Sequence, residues 1–196
     1  AAQGDFAAES GEFRFDVSAA QRPARPWINV LSNASFGAQI SEAGGGYSWF
    51  RDGKAVNRIN LYADWDITHR FDGQLLEREL EFSLGFQGPK QSQFGINPLG
   101  RVRYWRGAMF NEHNLNLYGN FRPMADLQLG TYMNFGQQLD LRAARTGRRQ
   151  MLGLWGNANA GRGLTMDWDI SRQRLRRDGG IAFEASLVNA GGSWQF

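Results

Sequence analysis

Two pairs of carboxylates stand two residues apart in runs of alternating polarity: Asp64 with Asp66, and Asp167 with Asp169. Side chains at i and i+2 of an extended chain share a face, so each pair presents its two acids side by side. A glycosidase holds two carboxylates roughly 5 to 10 Å apart across the scissile bond, and such pairs approach that spacing. The simpler expectation is a polar sheet face on which Asp sits opposite Arg or Asn in cross-strand pairs. His69 and His113 are the two histidines, each alone within a strand pattern and without a ligand-spaced partner, so no metal site is expected. Gly44, Gly45 and Gly46 are followed by no Lys-Ser/Thr and open no helix, which excludes a phosphate loop and leaves a turn. No complete catalytic machinery emerges, and the expectation is a non-enzymatic chain without cofactor.

The elements that carry these residues follow from polarity with a period of two. In Arg58 to Phe71 the odd positions are Ile59, Leu61, Ala63, Trp65, Ile67, His69 and Phe71, and the even ones are polar apart from Tyr62. His69 is the single break. This reads as one long strand with an apolar and a polar face. Its length exceeds the five or six residues common in soluble domains and reaches the roughly 9 to 11 of a tilted membrane strand. Further apolar rows follow: Leu80 to Phe86, Phe94 to Tyr104 with Pro98 as a weak point, Leu115 to Phe121, Leu127 to Phe135, Leu152 to Ala160, Leu164 to Ile170 and Ile181 to Leu187. That makes eight strands from Arg58 onward, an even number and the smallest common in bacterial membrane barrels. Turn chemistry at Asp72-Gly73, Gly88-Pro89, Arg122-Pro123, Gly161-Arg162-Gly163 and Asp178-Gly179-Gly180 separates them. The stretch from Gly107 to Pro123 breaks the alternation of long and short connections, a medium loop before a tight turn. Gly191-Gly192 weakens Gly192 to Phe196 as a final strand.

Composition narrows the class. The chain has 196 residues, no cysteine, 25 glycines and 13% aromatics, which suit twisted strands joined by tight turns. The absence of cysteine excludes disulfides and thiolate metal sites. Mean hydropathy is −0.49, and no apolar run approaches the roughly 18 residues of a membrane helix, whereas barrel strands hide their hydrophobicity in alternation. The net charge is +3, yet arginines cluster at Arg142, Arg145, Arg148, Arg149 and at Arg172, Arg174, Arg176, Arg177. Such clusters suit phosphates, of lipopolysaccharide or of nucleic acid; the blander expectation is solvated loops and strand ends near Asp167, Asp169 and Asp178. Ala1 to Gly11 lacks the basic start and apolar core of a signal peptide.

The amino-terminal part begins with a polar lead and a short alternating run at Phe13, Phe15 and Val17. A stiff link follows, Arg22-Pro23-Ala24-Arg25-Pro26. Asn33-Ala34 offers a turn, and Phe36 to Ile40 a strand. PWINVLSN followed by FG and ISEAGGGYSW, with GDFAAESGEFRFDV before it, resembles the N-terminal β-sandwich of cellobiose and chitobiose phosphorylases and cyclic β-1,2-glucan synthases, over residues 4 to 52. The resemblance implies a carbohydrate-associated sandwich; that family's catalytic acid lies in a helical barrel further along, which has no counterpart here. Of the matched residues, Tyr47 and Trp49 are the sugar-stacking candidates, because an aromatic platform suits the apolar face of a sugar ring, unless both pack into a sheet.

From residue 60 to 188 a second resemblance runs through HRFDGQLLERELEFSLGFQGPKQS, GQQLDLRAARTGRRQMLGLWGNANAGRGLTMDWDISRQRLRRDGG and IAFEASLV. These stretches are similar to the C-terminal β-barrel of bacterial outer-membrane proteins that carry a carbohydrate-binding-like periplasmic module. The expectation is therefore all-β: an antiparallel up-and-down barrel or barrel-like sheet of about eight strands over 58–196, after a small β-rich segment over 1–57. Its first functional reading is a non-enzymatic protein of the bacterial outer membrane, partnered by outer-membrane lipid or detergent and by carbohydrate, and not by nucleic acid. The alternative is a soluble, periplasmic or cytoplasmic carbohydrate-binding module, or the N-terminal fragment of a glycoside phosphorylase without its catalytic domain. A third is a chain that joins pieces of two families and has no selected activity. The first two share one pattern and differ in which face meets the surroundings. Girdle aromatics do not decide between them: Tyr104 and Trp105 fall at a strand end, Trp65 and Trp168 nearer mid-strand.

Overall fold

A computed structural model describes residues 4–7, 9, 12–15, 28–33, 35–41, 44–50 and 55–195. The strands are β1 (Gly4–Ala7), β2 (Glu12–Phe15), β3 (Ile28–Asn33), β4 (Phe36–Ser41), β5 (Gly44–Phe50), β6 (Arg58–His69), β7 (Leu75–Gln87), β8 (Gln93–Trp105), β9 (Ala108–Met124), β10 (Leu127–Asp140), β11 (Arg145–Gly161), β12 (Leu164–Arg177) and β13 (Gly180–Trp194). No helix occurs among the described residues. β1 pairs with β2, and β3 to β13 form one antiparallel sheet in which every strand lies beside its sequence neighbours, with β3 and β13 at its edges. The all-β, barrel-like expectation holds, as an open meander. Eight strands do follow from Arg58 onward, and hydrogen bonding continues across it, Phe50 opposite Arg58 and Gly44 opposite Asp64.

Tight turns explain why strands of 12 to 17 residues can follow one another so closely. Arg106-Gly107, Arg162-Gly163 and Asp178-Gly179 each have both residues at positive φ, the two-residue hairpin whose twist matches that of the flanking strands. Glycine takes the second place in each because it carries no Cβ penalty there.

Four local expectations change. Gly44 to Gly46 lie within β5, paired with β6, where they form a strand that lets the backbones approach closely. The region from Gly107 to Pro123 holds no loop, because β9 starts at Ala108 directly after its turn. Arg122-Pro123 is a bulge: Phe121 faces Leu129 and Met124 faces Leu127, so β9 carries one extra residue there, and the turn falls at Ala125-Asp126. Gly191 and Gly192 do not stop the last strand, since both keep their partners on β12, Asp167 and Met166. Pro98 does weaken its ladder: pairing of β8 with β7 goes from Leu99 with Glu81 to Ile96 with Leu84, skipping Asn97 and Pro98, the residue that cannot donate. Val17 and the Arg22 to Pro26 link lie outside the described residues.

Register carries the sequence alternation across the sheet. One row runs Ile59, Phe86, Phe94, Gly119, Thr131, Leu154, Ile170, Val188; the row beside it runs Leu61, Leu84, Ile96, Leu117, Met133, Leu152, Arg172, Ser186. The other face carries Asn60, Gly85, Gly95, Tyr118, Tyr132, Gly153, Ser171 and Leu187. The sheet is thus two-faced from β6 to β11. At its far edge the expected apolar row of β13 lands on the other side, with Phe183, Ala185 and Leu187 opposite Leu175, Gln173 and Ser171 on the polar face, while Glu184 and Ser186 stand opposite Arg174 and Arg172 on the apolar one.

Candidate functional site: an exposed apolar face backed by buried charge

Burial runs opposite to that of a water-soluble sheet. On the apolar face Trp65 is 56% exposed, Leu154 49%, Ile170 48% and Val188 69%, and among the described residues no second layer lies over them. Among the described residues the only buried hydrophobic side chains are Leu139 and Leu175. The accessible surface is 14024 Å², against about 9,300 Å² for a folded monomer of this mass by the usual scaling. A single open sheet leaves both of its faces accessible, and the run of exposed large apolar side chains on one of them marks a surface that meets something other than water.

The polar face is the better buried one. Glu112 is 1% exposed; its carboxylate accepts from Arg101 Nε at 3.1 Å and from the Leu139 backbone N–H at 2.7 Å. Arg101 also reaches Glu79 at 3.2 Å, and Arg103 donates to Glu77 at 2.7 Å. Of these groups only Glu112 is buried, and a carboxylate that far from water persists only when paired and hydrogen-bonded; its neighbours are half-buried. Around them lie side-chain hydrogen bonds to amide oxygens: Asn134 donates to Asn116, Ser83 to Asn97 at 2.9 Å, Gln128 to Asn120 at 3.4 Å. Asn114 Oδ1, Asn134 Oδ1, Gln138 Oε1 and Arg149 Nε are buried without a protein partner, as groups lining a wet interior would be.

Glycines on this face accept aromatic rings from the next strand. Tyr118 lies over Gly95, Trp155 over Gly130 and Tyr132 over Gly153, so close that a Cβ on Gly153 would sit 2.0 Å from Tyr132 Cζ. Lying flat across β11, Tyr132 donates its hydroxyl to Asp169 at 3.1 Å on β12. The glycine pattern that composition registers only as a total is therefore positional, and its cause lies between strands, where residue order along one strand does not reveal it.

The sequence candidates fall on both faces. Asp64 and Asp66 lie on the polar face opposite Glu81 and Glu79, so the cross-strand partners are acids and not the Arg or Asn expected of a paired polar face. Asp167 stands opposite Asn157 and Gly191, and Asp169 opposite Trp155 and Asn189. The two pairs sit on β6 and β12, with β7 to β11 between them, so the four carboxylates form no single site. Tyr47 and Trp49 are on the apolar face, 40% and 41% exposed. Phe36 meets Tyr47 edge-on with ring centroids 4.9 Å apart, and Trp49 stands between Phe36 and Ile59 in register. They form an aromatic patch continuous with the rest of that face. His69 ends β6 and His113 faces Gly100; among the described residues no three His, Asp or Glu side chains gather as metal ligands do. Among the described residues no helix is long and apolar enough to cross a membrane.

The strand ends carry their own chemistry. Trp105 Nε1 donates to the Leu141 carbonyl and Trp194 Nε1 to the Arg162 carbonyl, both at 3.0 Å, tying turns together with aromatic side chains. Asp140 accepts from the Ala143 and Arg142 backbone N–H groups and from Arg177 at 2.5 Å. Those contacts, Ala143 first, hold its carboxyl below the usual carboxylate range. Asp72 is lowered in the same way by Arg70 and by the Gln74 N–H.

Residues 11–75 match the family described as glycosyl hydrolase 94, supersandwich domain. The chain is also similar to the cyclic beta-(1,2)-glucan synthase NdvB of Rhizobium meliloti (strain 1021), 35% identical over 51 residues. That stretch is 26% of this chain and 2% of the synthase, so the chain spans a small fraction of that relative. No solved structure matches. The likeness of residues 60 to 188 to outer-membrane barrels finds no support in these matches. The expected likeness to the sandwich of the carbohydrate family is upheld, and it reaches further than residue 52, through β6; the matched part is a supersandwich domain and not a catalytic one.

Proposed function

We propose that the strands from β6 onward form part of the wall of a non-enzymatic β-barrel seated in a bacterial outer membrane, with β3 to β5 adding a carbohydrate-associated edge. The observation that supports this best is the inverted burial: hydrophobic rows exposed on strand after strand, and Glu112, Arg101 and Glu79 sheltered on the other face. In hydrocarbon the exposed rows are solvated and the polar face lines a lumen. Ile59 to Ile67 spans about 26 Å along the strand at ~3.3 Å per residue, or about 20 Å across a bilayer at a tilt of roughly 40°, near the height of a barrel's apolar band. Phosphorolysis and glycoside hydrolysis are not part of this reading, and phosphate-dependent sugar release above background by the purified chain would contradict it.

The family match supports a second reading: a soluble, carbohydrate-associated supersandwich segment of a longer sugar enzyme, in which a second sheet covers Tyr47, Trp49 and Ile59 to Ile67. It has the stronger backing over residues 11–75, because the match includes β6 itself. Detergent-free behaviour separates the two. The barrel reading expects aggregation in buffer and recovery of folded, protease-resistant chain in phosphatidylcholine vesicles. A monodisperse, folded chain at high concentration without detergent would establish the second reading instead.

A further inference from the structure

Two concavities adjoin on the apolar face of β10 to β12. The first, about 370 Å³, is lined by Met133, Phe135 and Leu152, with Arg172 and Arg174 at its margin. The second, about 420 Å³, lies against the turns and is lined by Gln137, Thr146, Arg148, Arg176, Arg177 and Asp178. Gln150 belongs to both.

The charge around the second cleft is unbalanced. Arg172 and Arg174 converge on Glu184, Arg174 Nη2 at 3.0 Å. Arg177 is taken by Asp140 at 2.5 Å, and Asp178 lies 3.4 Å from Arg145 and 3.6 Å from Arg177. Arg148 and Arg176 remain. They stand directly opposite each other on neighbouring strands, and neither has an acidic partner among the described residues. Like charges opposed in this way are destabilising unless an anion lies between them. Guanidinium groups suit phosphate oxygens because their donors match two at a time.

We infer that Arg148 and Arg176, with Thr146 and Gln150, bind the phosphate headgroup of an anionic lipid whose acyl chain lies along Met133, Phe135 and Leu152. The inference rests on the membrane reading above and extends it to a headgroup class. A lipid is favoured over a free anion because the basic cleft opens onto an apolar one, and only an amphiphile fills both.

The test uses the full chain refolded into vesicles of dilauroyl phosphatidylcholine alone or with a minor fraction of phosphatidic acid, then extracted for native mass spectrometry. The wild type is expected to retain phosphatidic acid over phosphatidylcholine. Two arginines at an anionic surface predict that Arg148→Gln/Arg176→Gln lowers that preference about 30-fold, with Arg148→Lys/Arg176→Lys keeping most of it. Equal insertion of the variants into pure phosphatidylcholine shows that they still fold. Insertion of the wild type without lipid preference, or an unchanged preference in the glutamine variant, overturns the headgroup site and leaves the membrane reading standing. Displacement of the lipid by inorganic phosphate at equal concentration overturns the lipid as occupant. Failure of the wild type to enter vesicles of either composition overturns the site together with the reading beneath it.

Discussion

Replacing Leu154 by arginine distinguishes the two environments of the apolar face by magnitude. Leu154 sits mid-row between Thr131 and Ile170 and is 49% exposed. If water covers that face, the change removes about half the burial of a leucine, where full burial contributes roughly 1.5 to 3 kcal/mol. The loss is then about 1 kcal/mol, lessened because the stem of arginine still covers its neighbours. If hydrocarbon covers it, a guanidinium enters the apolar band at a cost of about 2 to 4 kcal/mol. Asn157→Arg provides the control, three residues along on the polar face opposite Asp167, where a new cation finds a carboxylate and the expected cost is below about 1 kcal/mol. The assay is reversible urea titration of the chain in dilauroyl phosphatidylcholine vesicles, followed by tryptophan fluorescence. A Leu154→Arg loss of about 1 kcal/mol or less, or an Asn157→Arg loss as large as that of Leu154→Arg, refutes the argument.

Three further expectations rest on the polar face and the turns. Glu112→Ala leaves Arg101 with Glu79 alone and orphans the Leu139 N–H, for a loss of about 3 kcal/mol in the same titration, while Glu112→Gln, which keeps an acceptor, costs less. Gly153→Ala drives the Tyr132 ring off β11 and breaks its bond to Asp169, costing about 1 to 3 kcal/mol; adding Tyr132→Leu should recover part of this, and an additive double variant would show that the ring is not the obstacle. Asp140 has a lowered carboxyl pKa, so it adds stability above the ordinary aspartate value near ~4 and loses it as pH falls through its folded value. The unfolding midpoint of Asp140→Asn should therefore fall less steeply than wild type on acidification below pH ~4, and parallel curves would remove Asp140 from the account.

Period-two alternation makes the strands legible in the residue order, because a pleated chain has only two faces to sort side chains between. Arg58 to Phe71 and Leu164 to Ile170 read as strands on that ground, and Asp178-Gly179 reads as a turn because both residue types tolerate positive φ. Residue order misplaces elements where backbone chemistry has two uses. Three glycines at 44 to 46 permit a turn but also a close strand pairing, and Pro123 ends a ladder or bulges it; the partner strand selects between these. The acid pairs are visible as pairs, but that Asp64 and Asp66 face Glu81 and Glu79 depends on register with β7, which no local pattern encodes.

Residue order alone sets the two-faced strand and the number of such strands after Arg58, since both follow from patterns within about a dozen positions. Tertiary structure decides which face is sheltered. Only the pairing of β7 to β10 brings Glu79, Arg101, Glu112 and the Leu139 N–H together, and only that convergence makes the polar face the buried one. The opposed Arg148 and Arg176 likewise arise from the β11–β12 register, because a like-charge pair is a relation between strands and not a property of either.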